Sequence, residues 1–269
     1  MAVPMRIFKT LKRGDKGAEV KYLQRTLPYW TWPTSVSFAS VDGSYGTTTE
    51  QAVKNYQATL DLSVDGIAGP ETLESLGVYS RVDTGVDLSD YQTGIDWSAV
   101  SGINFAYIKA SEGATWKAKQ FASHCAGARG IGVKAGAYHF ARMGANTPWA
   151  EFDNFMSVVG PWNLDLPVAL DLEADFGMSG QAATEWALSW LQEAEREFKR
   201  RPIVYTSRRI ITEKLDGGKG LEAYPLWTPR WGDQPVNLTP WSNWHIWQYT
   251  NKGSVSGIPG EVDLNYMAR

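Results

Sequence analysis

From residue 82 onwards, short apolar runs alternate with longer stretches in which apolar residues recur at helical spacing. The runs predict strands and the stretches between them predict helices. The predicted strands are 84–88, 103–109, 133–140, 167–173, 202–206, 225–228, 245–249 and 261–266. The predicted helices lie near 117–129, 148–159, 179–200 and 207–215.

Strands that alternate with helices favour parallel pairing through helical crossovers. Eight strands predict a closed α/β barrel, yet residues 83–269 are too few for the ~250 residues of eight full β/α units. Because the later gaps between strands are short, we expect the missing helices to be the last ones. The prediction is an incomplete barrel of eight strands with fewer helices.

Residues 1–78 differ in pattern and predict a small three-helix domain. Asp-Gly turns at 42–43 and 65–66 each open a helix, the second with Pro70 near its start. A very short linker at 79–82 separates this domain from the barrel at 83–269. The chain is therefore predicted to have two domains.

The stretch 167–175 carries the first candidate chemistry. On a strand, Asp171 and Glu173 project to one face while Leu170 and Leu172 point to the other. Two partly desolvated carboxylates side by side raise one pKa and leave the other group ionised, which is what general acid catalysis at a glycosidic bond needs. The alternative is a strand that ends in ordinary solvated acids.

Two further acids have the same setting. Asp87 closes the first predicted strand and Asp263 lies in the last, and each is flanked by apolar residues. The first and last strands become neighbours when a barrel closes, so four carboxylates are predicted to surround one opening at the carboxyl ends of the strands. Acids also suit Ca²⁺ or Mg²⁺. The three histidines lack a zinc-binding spacing, and we expect no metal and no cofactor.

Composition and charge limit the classes of molecule that the protein is expected to bind. A net charge of −3 and a pI near 5.7 argue against nucleic acid, whereas 13 Trp and 12 Tyr suit sugar faces as well as protein cores. The single cysteine, Cys125, excludes an internal disulfide. No stretch reaches the length of a membrane span, so no membrane insertion is expected. The N-terminal stretch lacks an apolar signal region, which predicts synthesis in the cytoplasm without a signal peptide.

Residues 1–78 resemble the peptidoglycan-binding domain found beside many cell-wall hydrolases, although the stretch 30–38 is longer than is usual there. The matching motifs are LKRGDKG at 11–17, DGSYG at 42–46, AVKNYQ at 52–57 and DGIAGP at 65–70. The resemblance implies bacterial peptidoglycan as a partner.

Residues 83–269 resemble the family 25 glycoside hydrolases, the muramidase type of lysozyme. The matching motifs are GVDLS at 85–89, YIKASEG at 107–113, GAYHFAR at 136–142, LDLE at 170–173, WQY at 247–249 and VDL at 262–264. The resemblance implies a flattened, incomplete β/α barrel that hydrolyses the β-1,4 bond between N-acetylmuramic acid and N-acetylglucosamine. It makes Glu173 the acid/base and Asp171 its partner, with Asp87 and Asp263 beside them. The implied sugar-lining residues are Glu112, Tyr138, Tyr205, Trp227 and Tyr249.

Together these features predict a monomeric cell-wall lytic enzyme. We expect a bacteriophage endolysin that is made in the host cytoplasm and reaches the wall through the pore of another protein, a holin. The alternatives are a bacterial autolysin, a wall-binding module with a decayed site, and an enzyme that cleaves unsubstituted chitin. Asp171 could attack directly, position a water or orient the substrate's own acetamido group. The i, i+2 acid pair resembles the substrate-assisted type, and our hypothesis is retention of configuration through the acetamido group.

Overall fold

The computed structural model of the chain describes residues 7, 9–27, 41–79, 81–174, 177–232, 234–235 and 237–269. They form two compact units whose boundary falls between Val82 and Asp83. The long stretch at 30–38 and most of the N-terminal stretch interpreted above lie outside the described residues. Within the described ranges, no helix is both long enough and apolar enough to cross a bilayer.

The first unit contains the three predicted helices, α1 (Ala18–Thr26), α2 (Thr47–Thr59) and α3 (Pro70–Ser75). Their apolar faces meet in one core, to which α1 gives Val20 and Leu23, α2 gives Val53 and Tyr56, and α3 gives Leu73. Each helix is too short to be stable alone, so this shared core stabilises all three.

Two buried glutamines fix the two Asp-Gly turns in the same way. In each case the side-chain amide Nε2 donates to an aspartate, a threonine hydroxyl and a backbone carbonyl, and Oε1 accepts the N–H of the turn glycine. The partners of Gln24 are Asp42, Thr49, Ser44 and Gly43, and those of Gln57 are Asp65, Thr72, Ile67 and Gly66. The unit is therefore built from one helix–turn device used twice.

Gln57→Ala is expected to speed amide hydrogen exchange in α2 and α3 about 10- to 100-fold. The substitution leaves the buried N–H of Gly66 without its acceptor at 2.9 Å, a loss of about 1–3 kcal/mol. Hydrogen exchange followed by mass spectrometry on the full chain measures this. The matched control is Gln51→Ala, which removes only an exposed bond to Asn55. Equal exchange in the two variants would contradict the assignment.

The second unit contains all eight predicted strands and one short extra strand. The strands are β1 (Val82–Leu88), β2 (Phe105–Glu112), β3 (Trp116–Lys117), β4 (Lys134–Phe140), β5 (Ala169–Leu172), β6 (Ile203–Thr206), β7 (Leu226–Pro229), β8 (Ile246–Gly253) and β9 (Val262–Ala268). The helices are α4 (Phe121–Gly130), α5 (Pro148–Val159), α6 (Gln181–Phe198) and α7 (Arg208–Glu213).

The sheet runs in the order β1-β9-β8-β7-β6-β5-β4-β2-β3, and an additional pairing of β1 with β2 closes it into a barrel. The pairs β1–β2, β2–β4, β4–β5, β5–β6, β6–β7 and β7–β8 are parallel. The pairs β2–β3 and β8–β9 are antiparallel. The described residues between β7 and β8 and between β8 and β9 contain no helix. The expectation of an incomplete barrel that lacks its last helices is confirmed.

Strand alternation fills the barrel interior with rings. Phe105 and Tyr107 on β2 point inwards with Tyr205 and Trp227 from the opposite wall. At Gly136 the lack of a side chain makes room, because a Cβ there would lie 2.6 Å from the ring of Tyr107. The packed rings close the barrel from below, so polar side chains from the same inward positions collect at the carboxyl ends of the strands.

Candidate active site

The structure places the four predicted acids around one cavity of about 510 Å³. Three of them lie at the carboxyl ends of parallel strands, whereas Asp263 lies near the amino end of the antiparallel strand β9. Asp87 lies on β1, Asp171 on β5 and Asp263 on β9, and Glu173 directly follows β5. β1 and β9 are neighbours in the sheet, as the prediction required. Residues from distant parts of the chain are thus brought to one opening.

Asp171 and Glu173 differ in exposure. Asp171 is only 5% exposed, and its Oδ1 has no hydrogen-bond partner in the described part of the chain. Glu173 is exposed to the open cavity. Burial and then the charge of Glu173 raise the pKa of Asp171 well above its usual range. The exposed carboxyl can therefore meet a substrate oxygen, while the buried one forms part of the cavity floor.

The pKa of Glu173 is raised as predicted, although the charge that raises it is a different one. Partial desolvation by the cavity walls is the largest cause, and the charge of Asp87 comes next. Asp171 was predicted to supply that charge, but the Asp171 carboxyl is more deeply buried, and burial raises its own pKa well above the usual range. Glu173 can therefore carry a proton at a higher pH than an ordinary carboxyl.

Asp87 and Asp263 form a pair in which one carboxyl hydrogen-bonds the other. Gln248 Nε2 and Asn265 Nδ2 donate to Asp87 Oδ2 at 3.0 and 2.8 Å. Burial and the charge of Asp263 nevertheless raise the pKa of Asp87 to about 8. The two amides were not predicted from the sequence. Asn265 lies two residues after Asp263 on the same face of β9, and this spacing is the one signal that could have found it.

Asp87→Asn is expected to stabilise the protein at neutral and higher pH. The folded protein keeps the Asp87 proton up to about pH 8, whereas an unfolded chain loses it near pH 4. This group therefore lowers the free energy of unfolding as pH rises between those values. Asparagine can still accept from both amides and donate to Asp263. We expect calorimetric unfolding to show a gain of about 1–3 kcal/mol at pH 8 that shrinks at pH 5.

The matched control for this experiment is Asp153→Asn, which changes an exposed carboxyl on α5. It should leave the free energy of unfolding unchanged within about 0.5 kcal/mol at both pH values. A destabilised Asp87→Asn variant at pH 8 would contradict the described pair.

Three of the predicted sugar-lining rings, Tyr138, Tyr205 and Trp227, line the cavity. Trp227 contacts both tyrosines edge to face and donates from Nε1 to Asn265 Oδ1 at 2.8 Å. The Tyr205 hydroxyl donates to Gln248 Oε1 at 3.2 Å and lies within hydrogen-bonding reach of Glu173. The rings therefore also hold the amides and acids in place.

Tyr249 was predicted to line the cavity, and this prediction is wrong. Its ring stacks on Tyr266 with centroids 4.3 Å apart, and it is absent from the described cavity wall. On β8, Ile246 packs in the barrel core and Gln248 reaches the cavity. The strand pairing is irregular between Gln248 and Thr250, and the stacking on Tyr266 holds the Tyr249 ring away from the cavity wall.

Glu112 lines the cavity as predicted but is held by two cations. Lys109 Nζ lies 2.7 Å from Glu112 Oε2, and Arg142 Nη2 lies 2.7 Å from Oε1. Burial acts to raise the pKa of Glu112, but hydrogen bonds from both cations outweigh it and leave the pKa lowered. Glu112 is thus an anion that organises Lys109 and Arg142.

Two exposed rings at the cavity, Tyr91 and Trp231, were not predicted. They are 94% and 62% exposed and both line the opening. Flat exposed rings of this kind suit the C–H faces of sugars. Both follow strands β1 and β7 by two or three residues, so position in the loops after the strands was the available signal.

Ser111, His139 and Glu151 form a sealed chain of hydrogen bonds behind the cavity. Ser111 Oγ and Glu151 Oε2 each lie 2.8 Å from a ring nitrogen of His139, and all three side chains are buried. Burial lowers the pKa of His139, so the ring is neutral. The triad has no access to substrate and is structural. Among the described residues, no three His, Cys, Asp or Glu side chains are arranged to hold a metal ion.

A mostly parallel α/β barrel with paired carboxyls at the ends of its strands defines a barrel-type glycoside hydrolase. The chain belongs to the glycosyl hydrolases family 25, whose family model matches residues 86–258. A model for a peptidoglycan binding domain matches residues 16–76.

Known proteins resemble the chain in the barrel. Lysozyme M1 of Streptomyces globisporus is 34% identical over 198 residues, which cover 67% of this chain and 66% of that protein. A bacterial lysozyme structure from Streptomyces coelicolor is 33% identical with a TM-score of 0.64, covering 69% of this chain and 91% of the other. The CTP1L endolysin structure is 30% identical with a TM-score of 0.60, covering 69% and 66%. The chain thus spans about two thirds of the length of the first and third of these proteins.

Proposed function

We propose that the chain is an N-acetylmuramidase, a lysozyme, that hydrolyses the β-1,4 bond between N-acetylmuramic acid and N-acetylglucosamine in bacterial peptidoglycan. The observation that carries the proposal is the pair of an exposed Glu173 and a buried Asp171 at the end of one strand. Membership of glycosyl hydrolases family 25 supports it.

In the proposed reaction, Glu173 gives its proton to the glycosidic oxygen as the bond from that oxygen to the muramoyl C1 breaks. The carbonyl oxygen of the sugar's own 2-acetamido group forms a bond to C1 and closes a ring. Asp171, as a carboxylate, accepts the acetamido N–H and stabilises the positive charge on that ring. Glu173 then takes a proton from water, whose oxygen attacks C1 and opens the ring.

The reaction class is tested by reducing-end release from purified peptidoglycan and from chitin in parallel. A muramidase releases ends from peptidoglycan and leaves chitin intact. Release from chitin at a similar rate would favour the chitinase alternative, and release from neither would favour a binding module.

Two successive displacements at C1 predict that the new reducing end first appears as the β anomer. A ¹H-NMR time course on soluble glycan strands measures this directly, because the two anomeric protons are separate signals. An initial excess of the α anomer would contradict participation of the acetamido group and would require direct attack of water.

We propose that the first unit holds the polymer so that the barrel works at raised local concentration. Its match to a peptidoglycan binding domain supports this role. Removal of the first unit is expected to slow clearing of intact walls far more than cleavage of short soluble strands. Equal slowing of both would contradict a tethering role.

We further propose that the protein is a bacteriophage endolysin that works as a monomer and reaches the wall through a pore made by a holin. The likeness to the CTP1L endolysin supports this setting. Expression in the cytoplasm of a host with a susceptible wall is expected to cause lysis only when a pore-forming protein is co-expressed. Lysis without the pore would favour an autolysin that is exported by itself.

A further inference from the structure

The cavity wall is acidic except on one side. Five of the described residues that line it carry a carboxyl group, and two carry a cation, Lys109 and Arg142. Among these side chains only the two cations can attract an anionic substituent of a polymer by charge. The side with the two cations is therefore the place where an anion could be received.

Lys109 is not free to bind an anion. Its side chain is only 14% exposed, and its Nζ lies 2.7 Å from Glu112 Oε2. The same ammonium group lies over the rings of Phe140 and Trp116, at 4.5 and 4.9 Å from their centroids. Lys109 therefore neutralises Glu112 from beneath.

Arg142, unlike Lys109, is exposed at the cavity and has donors available. Its side chain is 47% exposed, and Nε and Nη2 both donate to Glu112 Oε1, at 2.9 and 2.7 Å. The guanidinium also lies over Phe140 at 4.7 Å. In the described part of the chain Nη1 has no hydrogen-bond acceptor, so a fixed guanidinium presents unused donors at the cavity.

The backbone of Arg142 is fixed from behind. Its N–H donates to both oxygens of Glu151, at 3.1 and 3.0 Å, and Glu151 is fully buried. Glu151 is bound in turn to His139, which is bound to Ser111. An arginine whose backbone and guanidinium are both held by hydrogen bonds loses little conformational entropy when it binds a ligand.

We propose that Arg142 is a specificity-determining residue that binds a carboxylate carried by the N-acetylmuramic acid unit. This rests on the proposed function. The carboxylate belongs either to the lactyl ether of the sugar or to the peptide attached to it, and a planar guanidinium can bind either one through two N–H donors. Chitin carries no carboxylate at this position, so the contact would favour peptidoglycan over chitin.

The test compares Arg142→Gln with the wild-type full chain on three soluble substrates. The first is peptide-free glycan strands with a lactyl carboxylate, the second is the same strands after methyl esterification, and the third is strands with intact peptides. We expect Arg142→Gln to lower kcat/KM about 10- to 100-fold on the first or third substrate, mainly through KM. On the methyl esters the loss should stay below about threefold.

The matched control is Arg209→Gln, which removes an exposed arginine paired with Glu213 on α7. It should change none of the three rates. A loss of kcat/KM on peptide-free strands would assign the lactyl carboxylate as the ligand of Arg142. A loss on the intact strands alone would assign a carboxylate of the peptide. Equal losses on free and esterified strands would overturn the proposal, because Arg142 would then only support the cavity wall.

Equilibrium binding of the same strands to both proteins separates this proposal from the proposed function. If the wild-type chain cleaves none of the substrates but binds free strands more tightly than esters through Arg142, the inference stands and the muramidase assignment fails. If cleavage occurs and Arg142→Gln lowers the rate equally on all three substrates, or on none of them, the muramidase assignment stands and the inference fails.

Discussion

Replacing Glu173 with glutamine is expected to lower kcat for wall hydrolysis by about 10²- to 10⁴-fold, the usual contribution of a positioned general acid. Glutamine keeps the size of the side chain and its exposure to the cavity but has no proton to give to the leaving oxygen. Release of reducing ends from purified peptidoglycan measures the loss. Binding to walls should be unchanged, because the first unit is not altered.

The matched control for this variant is Glu213→Gln, a substitution of an exposed glutamate at the end of α7. It should retain the wild-type rate. A Glu173→Gln protein that clears walls at the wild-type rate would show that another group protonates the leaving oxygen.

Asp171→Asn is expected to lower kcat by about 10²- to 10³-fold, as when one preorganised group that stabilises the transition state is removed. Asparagine fills the same buried position but carries no negative charge to stabilise the ring formed by the acetamido group. KM should change little, because that charge develops only during the reaction. Steady-state kinetics on soluble strands measure both constants.

Loss of folding cannot explain the expected result for Asp171→Asn. Burial already disfavours the Asp171 carboxylate, and its Oδ1 has no partner in the described part of the chain. Removing this buried acid should therefore maintain or raise the melting temperature while activity falls. A variant that loses stability and activity together would contradict this separation, and Asp153→Asn provides the unaffected reference.

The barrel could be predicted from the sequence because each strand is a short apolar run between turn residues. The exact ends of the strands could not be predicted as well. β8 continues to Gly253 because it pairs with β9 in an antiparallel hairpin, and polar residues such as Asn251 and Lys252 are stable there at the barrel rim. The short strand β3 exists only as the partner of the end of β2.

The four acids could be predicted because strand ends of a closed barrel meet in space. Their partners could not, since Gln248 and Asn265 reach Asp87 across 161 and 178 residues of chain. Tyr249 was misplaced because the motif around it gives no sign of the irregular pairing between Gln248 and Thr250. The contact of Arg142 with Glu112 joins the loop after β4 to the last residue of β2, and no local pattern predicts it.

The bond that is cut determines which sugar bears the new reducing end of the polymer. Purified peptidoglycan is digested to completion, the reducing ends are reduced with borohydride, and the fragments are identified by tandem mass spectrometry. For a muramidase we expect the reduced sugar in every new fragment to be N-acetylmuramic acid. Fragments that end in reduced N-acetylglucosamine would contradict it.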